Sequence, residues 1–192
     1  MKTNLPKLPN PTYPHTIENG LGETLTFLRL QPEPDGDRLI VENAVTPGQG
    51  PPMHTHWLQD ECLTVAEGRL AYQLPGQPTQ YAGPGDTVLF RRGTPHRFWN
   101  AGDELLRCTG WIKPAHTIVF FLSAIYDAQV KSGQHRPEQF DAAYLMTRYA
   151  REYDMTDIPG FVKRVVIPAT YRVGRLLGKY RKFKGAPQPV LG

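Results

Sequence analysis

The chain changes its hydrophobic period at Pro114, and that change limits what it can fold into. Before it, apolar and polar residues alternate in short runs, Leu21 to Leu30 and Arg38 to Val45 among them. Turn-forming clusters separate the runs: Pro32 to Asp37, Pro47 to Pro52, Pro75 to Pro78 and Gly83 to Gly85. A final stretch from Glu104 to Ile112 is strand-like as well. Many short alternating segments at even spacing predict an all-β barrel or jelly roll. Beyond Pro114 the period becomes 3.6. Ile118, Phe121, Leu122 and Ile125 stand at helical spacing in a segment that ends near Gly133. Pro137 fits the first turn of a second helix carrying Phe140, Ala143, Tyr144 and Thr147 on one face, which Ile158 to Gly160 ends. A third helical segment, interrupted at Pro168, has Val173, Leu176, Leu177 and Tyr180 as its stripe. The expected fold class is mostly β, with a C-terminal α-helical extension.

Within the β region, the stretch from Gly48 to Gly68 holds His54 and His56 two positions apart and Glu61 five residues further on. In an extended strand, residues i and i+2 point to the same face, so the two imidazoles aim at one spot. Two imidazoles and a carboxylate converging on a point make a metal-site constellation. A further candidate, His96, follows in the stretch from Gly85 to Asn100. His15, His116 and His135 lie outside both stretches and read as ordinary histidines.

The spacing G-x5-H-x-H-x4-E-x6-G over Gly48 to Gly68 matches the first cupin motif at every framed position. The second stretch resembles the second cupin motif, G-x5-P-x-G-x2-H-x3-N, except that Arg91 stands where that motif has proline. The resemblance covers about a quarter of the chain. It implies a cupin jelly-roll barrel (a double-stranded β-helix) with His54, His56, Glu61 and His96 as metal ligands. The departure at Arg91 bears on a turn and not on the ligand set. The resemblance also implies a homodimer. The expected organisation is a barrel with an extended N-terminal arm over 1–114, its metal-site core at about 38–112, and a helical extension over 115–192 packed on the barrel or on a partner subunit.

Alternation also predicts the barrel lining. A hairpin from Glu61 to Leu74 with Glu67 and Gly68 at its tip would set Val65 opposite Leu70, Leu63 opposite Tyr72 and Glu61 opposite Leu74. The same reasoning turns Val88, Phe90, His96 and Phe98 inward. Leu63, Val65, Tyr72, Phe90 and Phe98 are the candidate substrate pocket, and Tyr72 is the one candidate catalytic hydroxyl. Asn100 reads as a turn support. Arg91 and Arg92 read as a solvated hairpin tip.

Composition narrows the setting. With 40% hydrophobic residues over 192 positions, the chain can bury a core of one domain. No run of about 18 apolar residues exists to span a membrane. The N-terminus lacks the apolar core of a signal peptide, and Cys62 and Cys108 make no disulfide framework. A cytoplasmic protein with reduced thiols is expected. The net charge of +4 is unevenly spread: residues 161–192 carry eight Lys and Arg and no acid, whereas the first 160 hold 14 basic and 18 acidic residues. The basic helix over 161–184 could touch an anionic membrane surface, although packing of its stripe is the expected arrangement; no nucleic-acid partner is expected.

Three imidazoles and a carboxylate suit one divalent transition metal, with iron, manganese, nickel, cobalt, copper and zinc all compatible. Four protein ligands on an octahedral ion leave two positions for small molecules. Single-domain cupins with this ligand set include quercetinase-like and other ring- or carbon–carbon-cleaving dioxygenases. The resemblance therefore implies a metal-dependent oxidoreductase, a dioxygenase acting on a small phenolic or diketone-like molecule. A Lewis-acid isomerase or lyase, and a non-catalytic module binding metal or a small molecule, remain open alternatives.

Overall fold

The computed structural model describes residues 12–190. Of the arm expected over 1–14, only residues 12–14 lie among them. Eleven strands and three α-helices follow: β1 (His15–Glu18), β2 (Glu23–Gln31), β3 (Arg38–Val45), β4 (His54–His56), β5 (Asp60–Glu67), β6 (Leu70–Gln73), β7 (Gln80–Ala82), β8 (Thr87–Phe90), β9 (Arg97–Asn100), β10 (Leu106–Lys113), α1 (Ile118–Ser132), α2 (Gln139–Arg148), β11 (Tyr153–Met155) and α3 (Ile167–Leu176). One wall is a six-stranded antiparallel sheet in the order β1-β2-β3-β10-β5-β8. Facing it are the sheets β7-β6-β9 and β11-β4. The backbones of His54 and His96 exchange hydrogen bonds of 2.9 and 2.8 Å, which docks β4 at the head of β9. The chain is thus a mostly β, jelly-roll barrel with helices C-terminal to it.

The expected β5–β6 hairpin does not form. β5 pairs with β10 and β8, so Glu61 stands opposite Ile112 and Phe90, and Leu63 opposite Gly110 and Val88. β6 pairs with β7 and β9, placing Tyr72 opposite Gln80 and Phe98. The chain at Glu67 and Gly68 crosses from one wall to the other. Alternation determines which face a side chain takes, and that part stands: Leu63, Val65, Leu70, Val88, Phe90 and Phe98 share one buried core, with Tyr72 and Leu74 packed against it. Alternation says nothing about which strand lies alongside, and in a two-walled barrel consecutive strands cross.

A second core lies where α1 covers Leu25, Phe27, Leu39, Val41 and Ile112 of the large sheet. Helix α1 ends where Gly133 takes a left-handed conformation, φ 65°, and donates its N–H to the Gln129 carbonyl. It buries Ile118 and Phe121 of the expected stripe, but also Val119, Ala124 and Tyr126, while Leu122 and Ile125 are only half-buried. The helix is covered on two sides, by the sheet and by the segments that follow. In α2, Pro137 lies just outside the first turn; Glu138 caps the helix by accepting from the N–H groups of Phe140 and Asp141 at 3.1 and 3.0 Å. Ala143 and Tyr144 are buried as expected, Phe140 is half-buried and Thr147 is exposed.

The third helical segment departs further. A π-helical turn over Val162–Val166 runs into α3, with Pro168 in the first turn of α3, and Lys179–Phe183 forms a 3-10 turn. Its inward side is Gly174, against which the Tyr180 ring closes, together with Tyr171 stacked on Tyr180 at 5.2 Å and Phe183 stacked on Tyr144 at 4.2 Å. Val173, Leu176 and Leu177 face solvent. Tyrosine rings fill the inner face, so the aliphatic stripe is left outside. No helix among the described residues is long and apolar enough to cross a membrane.

Candidate metal centre

The strand β4 is three residues long and presents His54 and His56 on one side, as period two requires. Glu61 is the second residue of β5, and His96 immediately precedes β9. The four residues come together: their ligating atoms all lie within 4.8 Å of one another. His96 Nε2 is 3.4 Å and His56 Nε2 3.7 Å from Glu61 Oε2. His56, Glu61 and His96 are buried, and His54 is the partly accessible member.

Backbone carbonyls orient two of the rings. His54 Nδ1 donates to Pro52 O at 2.8 Å and His96 Nδ1 to Thr94 O at 2.9 Å. A neutral ring whose Nδ1 donates keeps only a lone pair at Nε2, and here those lone pairs face a carboxylate. Burial, reinforced by the neighbouring rings His96 and His56, lowers the His54 pKa to about 3. Burial likewise brings His56 to about 4 against the pull of Glu61. For Glu61, burial by itself would raise the pKa, but the neighbouring imidazoles outweigh it and bring it to about 2. A buried carboxylate faced by three imidazole rings, with His56 Nδ1 left without a hydrogen-bond partner, is an arrangement that a divalent cation satisfies. The residues present therefore fit the metal that the motifs imply.

The surroundings hold the ligands in place. The Phe90 ring lies parallel to His96 at 4.1 Å, and Tyr153 meets His56 edge-on at 5.7 Å while stacking on Phe121 at 4.1 Å. The strand β11 carries Tyr153 and pairs with β4, residue for residue: Tyr153 with His56, Asp154 with Thr55 and Met155 with His54. Behind it runs a buried polar network. Thr117 Oγ1 donates to Glu152 Oε2 at 2.8 Å, Gln59 Nε2 reaches the Tyr153 hydroxyl at 3.2 Å, and the Val190 N–H donates to Glu152 Oε1 at 3.0 Å. The segment after Pro114 thus braces the strand that carries His54 and His56. Sequence reasoning missed Tyr153, Glu152, Thr117 and Gln59, because three residues of strand carry no readable period.

A second buried group could have been found. Glu23 shares strand parity with Leu25 and Phe27, so alternation already turns it inward. Its Oε1 accepts from Asn43 Nδ2 at 3.0 Å. Burial raises its pKa against the hydrogen bonds from Tyr126 and Asn43, and Glu61 raises it further.

The other sequence candidates fall as follows. Leu63, Val65, Phe90 and Phe98 pack together in the barrel core, and Phe90 alone among them stacks on a ligand ring. Tyr72 meets Phe90 edge-on at 5.9 Å and donates its hydroxyl to Gln80 Oε1 at 2.8 Å. Asn100 supports a turn, donating to the carbonyls of Val45 and Glu104 at 2.8 and 2.7 Å. At the motif's departure, the turn closes without proline: the Thr94 N–H donates to Arg91 O at 3.0 Å and the Gly93 N–H to His56 O at 2.7 Å. Arg91 and Arg92 both reach the Asp60 carboxylate, at 3.6 and 3.1 Å. Cys62 and Cys108 are unbridged and buried, and burial pushes the Cys108 thiol up to about 12.

Fold and site together define a small antiparallel jelly-roll barrel with a largely buried three-histidine, one-glutamate cluster. Residues 42–112, the stretch that holds both motifs, match the family model described as the cupin domain. No curated protein matches the chain. Among solved structures it is similar to an uncharacterized conserved protein with a double-stranded β-helix domain from Klebsiella pneumoniae, with 20% identity over 55% of this chain and 82% of that one, TM-score 0.39. It is similar also to KdgF from Halomonas sp., with 17% identity over 51% and 84%, TM-score 0.45. The polyketide cyclase RemF from Streptomyces resistomycificus shares 24% identity over 55% and 79%, TM-score 0.44.

Proposed function

We propose that this protein is a metal-dependent cupin dioxygenase acting on a small phenolic or diketone-like molecule. The observation that carries the reading is the donor cluster itself, three imidazoles and one carboxylate with a single partly accessible member, His54. His54, His56, Glu61 and His96 would hold one divalent transition metal. When bound, such an ion supplies open positions for exogenous oxygen ligands and, for a redox-active metal, electron transfer between substrate and dioxygen. The chain's own residues set the conditions. Pro52 O and Thr94 O keep the Nε2 lone pairs of His54 and His96 pointed into the cluster. The rings of Phe90 and Tyr153 exclude water from the buried side. A substrate therefore approaches from the His54 side.

A second reading, a Lewis-acid isomerase or lyase, is favoured by one feature: Glu23 is a buried carboxyl with a raised pKa near Glu61, a group able to hold a proton inside the barrel. Oxygen-electrode assays of metal-reconstituted protein on a panel of phenols and diketones separate the two. Substrate-dependent oxygen uptake with iron, manganese, nickel or copper supports the oxygenase. Anaerobic turnover by the zinc form refutes it in favour of the second reading. Metal binding with no turnover of any panel member leaves the binding-module alternative as the answer.

A further inference from the structure

Residues 161–184 form a surface that the barrel does not use. Phe161 is 68% exposed, Leu176 87% and Leu177 60%, and Val165, Val166 and Val173 are exposed with them. Phe161 and Val165 stand four residues apart at the start of the helical turns that run from Val162 to Leu176, and Val173 stands three and four residues from Leu176 and Leu177 at their end. Gly178, left-handed at φ 65°, turns the chain immediately afterwards. This leaves Leu176 and Leu177 at a protruding corner, beside a shallow groove lined also by Arg175, Tyr180 and Arg181.

The segment's own charges have one sign. Residues 161–192 carry eight Lys and Arg and no acid. Lys163 is paired with Asp154 at 2.7 Å and Lys182 with Asp141. Arg164, Arg172, Arg175, Arg181 and Lys184 have no carboxylate partner among the described residues. A second copy docking through this face would bring the unpaired Arg164, Arg172, Arg175, Arg181 and Lys184 against the same five cations. Residues 1–11 contain Lys2 and Lys7 and no acid, so they offer no complementary charge either. The occupant that satisfies both an apolar ridge and a basic rim is a layer of anionic lipid, with acyl chains under the ridge and phosphates at the rim.

We propose that the Phe161–Lys184 segment docks this protein on anionic phospholipid membranes, lying in the headgroup plane. Phe161, Val165, Leu176 and Leu177 enter the apolar boundary, and Arg164, Arg172, Arg175, Arg181 and Lys184 meet lipid phosphates. The contact is interfacial, because no helix among the described residues can cross a bilayer.

The test is co-sedimentation of the full chain with vesicles of phosphatidylcholine, with and without phosphatidylglycerol. The expected result is binding to the anionic vesicles only, falling as salt screens the rim. Replacing Leu176 and Leu177 together by Asp lowers partitioning by on the order of tenfold or more. Arg172→Gln and Arg175→Gln each lower it about fivefold. All four side chains are exposed, so circular dichroism and metal content stay as in the wild type. No binding to anionic vesicles, equal binding to neutral ones, or unchanged binding by these variants overturns the proposal. So does a wild-type dimer in sedimentation equilibrium that the double leucine variant dissociates, since the face would then be covered by a second copy.

Discussion

Lowering the pH of the metal-free protein from about 7.5 to about 5.5 probes the imidazole cluster directly. In the unfolded chain the rings of His54 and His56 ionise near 6.5; in the fold they ionise at about 3 and about 4. Across this window the unfolded chain takes up protons that the folded chain refuses, so stability falls with falling pH. Each ring costs about 1.4 kcal/mol near pH 5.5 and about 0.1 kcal/mol near pH 7.5, or about 2.6 kcal/mol for the two. For a domain of this size that lowers Tm by about 5–10 °C. Glu23, with its raised pKa, acts in the opposite sense above 4.5, and the His15 pKa is also lowered by burial. The effect is therefore read as the difference between wild type and the His54→Gln/His56→Gln variant, in thermal melts with chelator. Parallel melting curves for the two proteins would refute the reasoning, because they would mean that His54 and His56 are protonated in the fold and form ion pairs with Glu61.

Three further outcomes are expected. His96→Ala should sharply lower bound metal, measured by elemental analysis, while circular dichroism shows an intact barrel; metal content equal to wild type would refute the four-ligand assignment. Gly110→Ala drives a Cβ into the Cys62 carbonyl oxygen on the neighbouring strand, closer than non-bonded atoms can approach. It should destabilise by about 3 kcal/mol or more in urea unfolding, and a loss under about 1 kcal/mol would contradict that packing. Glu23→Gln removes a group whose raised pKa makes its contribution fully present below 4.5 and lost as pH rises through the folded value. The variant's stability should depend less on pH above 4.5 than the wild type's, and an unchanged pH profile would show that Glu23 is not raised.

Much of the barrel, and the gathering of His54, His56, Glu61 and His96, was readable before the fold. Strand parity is a property of the backbone pleat, so His54 beside His56, and Leu63, Val65 and Phe98 on the inner face, followed from spacing. Glu61 and His96 rested on the motif resemblance. The strand partners did not follow. β5 chooses β10, some 45 residues away, over the adjacent β6, because register is decided by closing both walls over a shared core. The third helix misled for a related reason. An apolar stripe at Val173, Leu176 and Leu177 predicts a buried face only when something is there to cover it, and Tyr171, Tyr180 and Phe183 had already filled that space.

What the sequence by itself determined is local: which residues face inward, where chain direction turns, and which donor types sit two residues apart on a strand. Tertiary structure alone decided that Tyr153 and β11 brace the strand of His54 and His56 from nearly a hundred residues away, and that Glu152 is buried. It alone decided, too, that the basic helix turns its leucines to solvent. The physical reason is one of range. Backbone geometry repeats within a few residues, whereas burial and charge pairing depend on which distant segments compete for the same space.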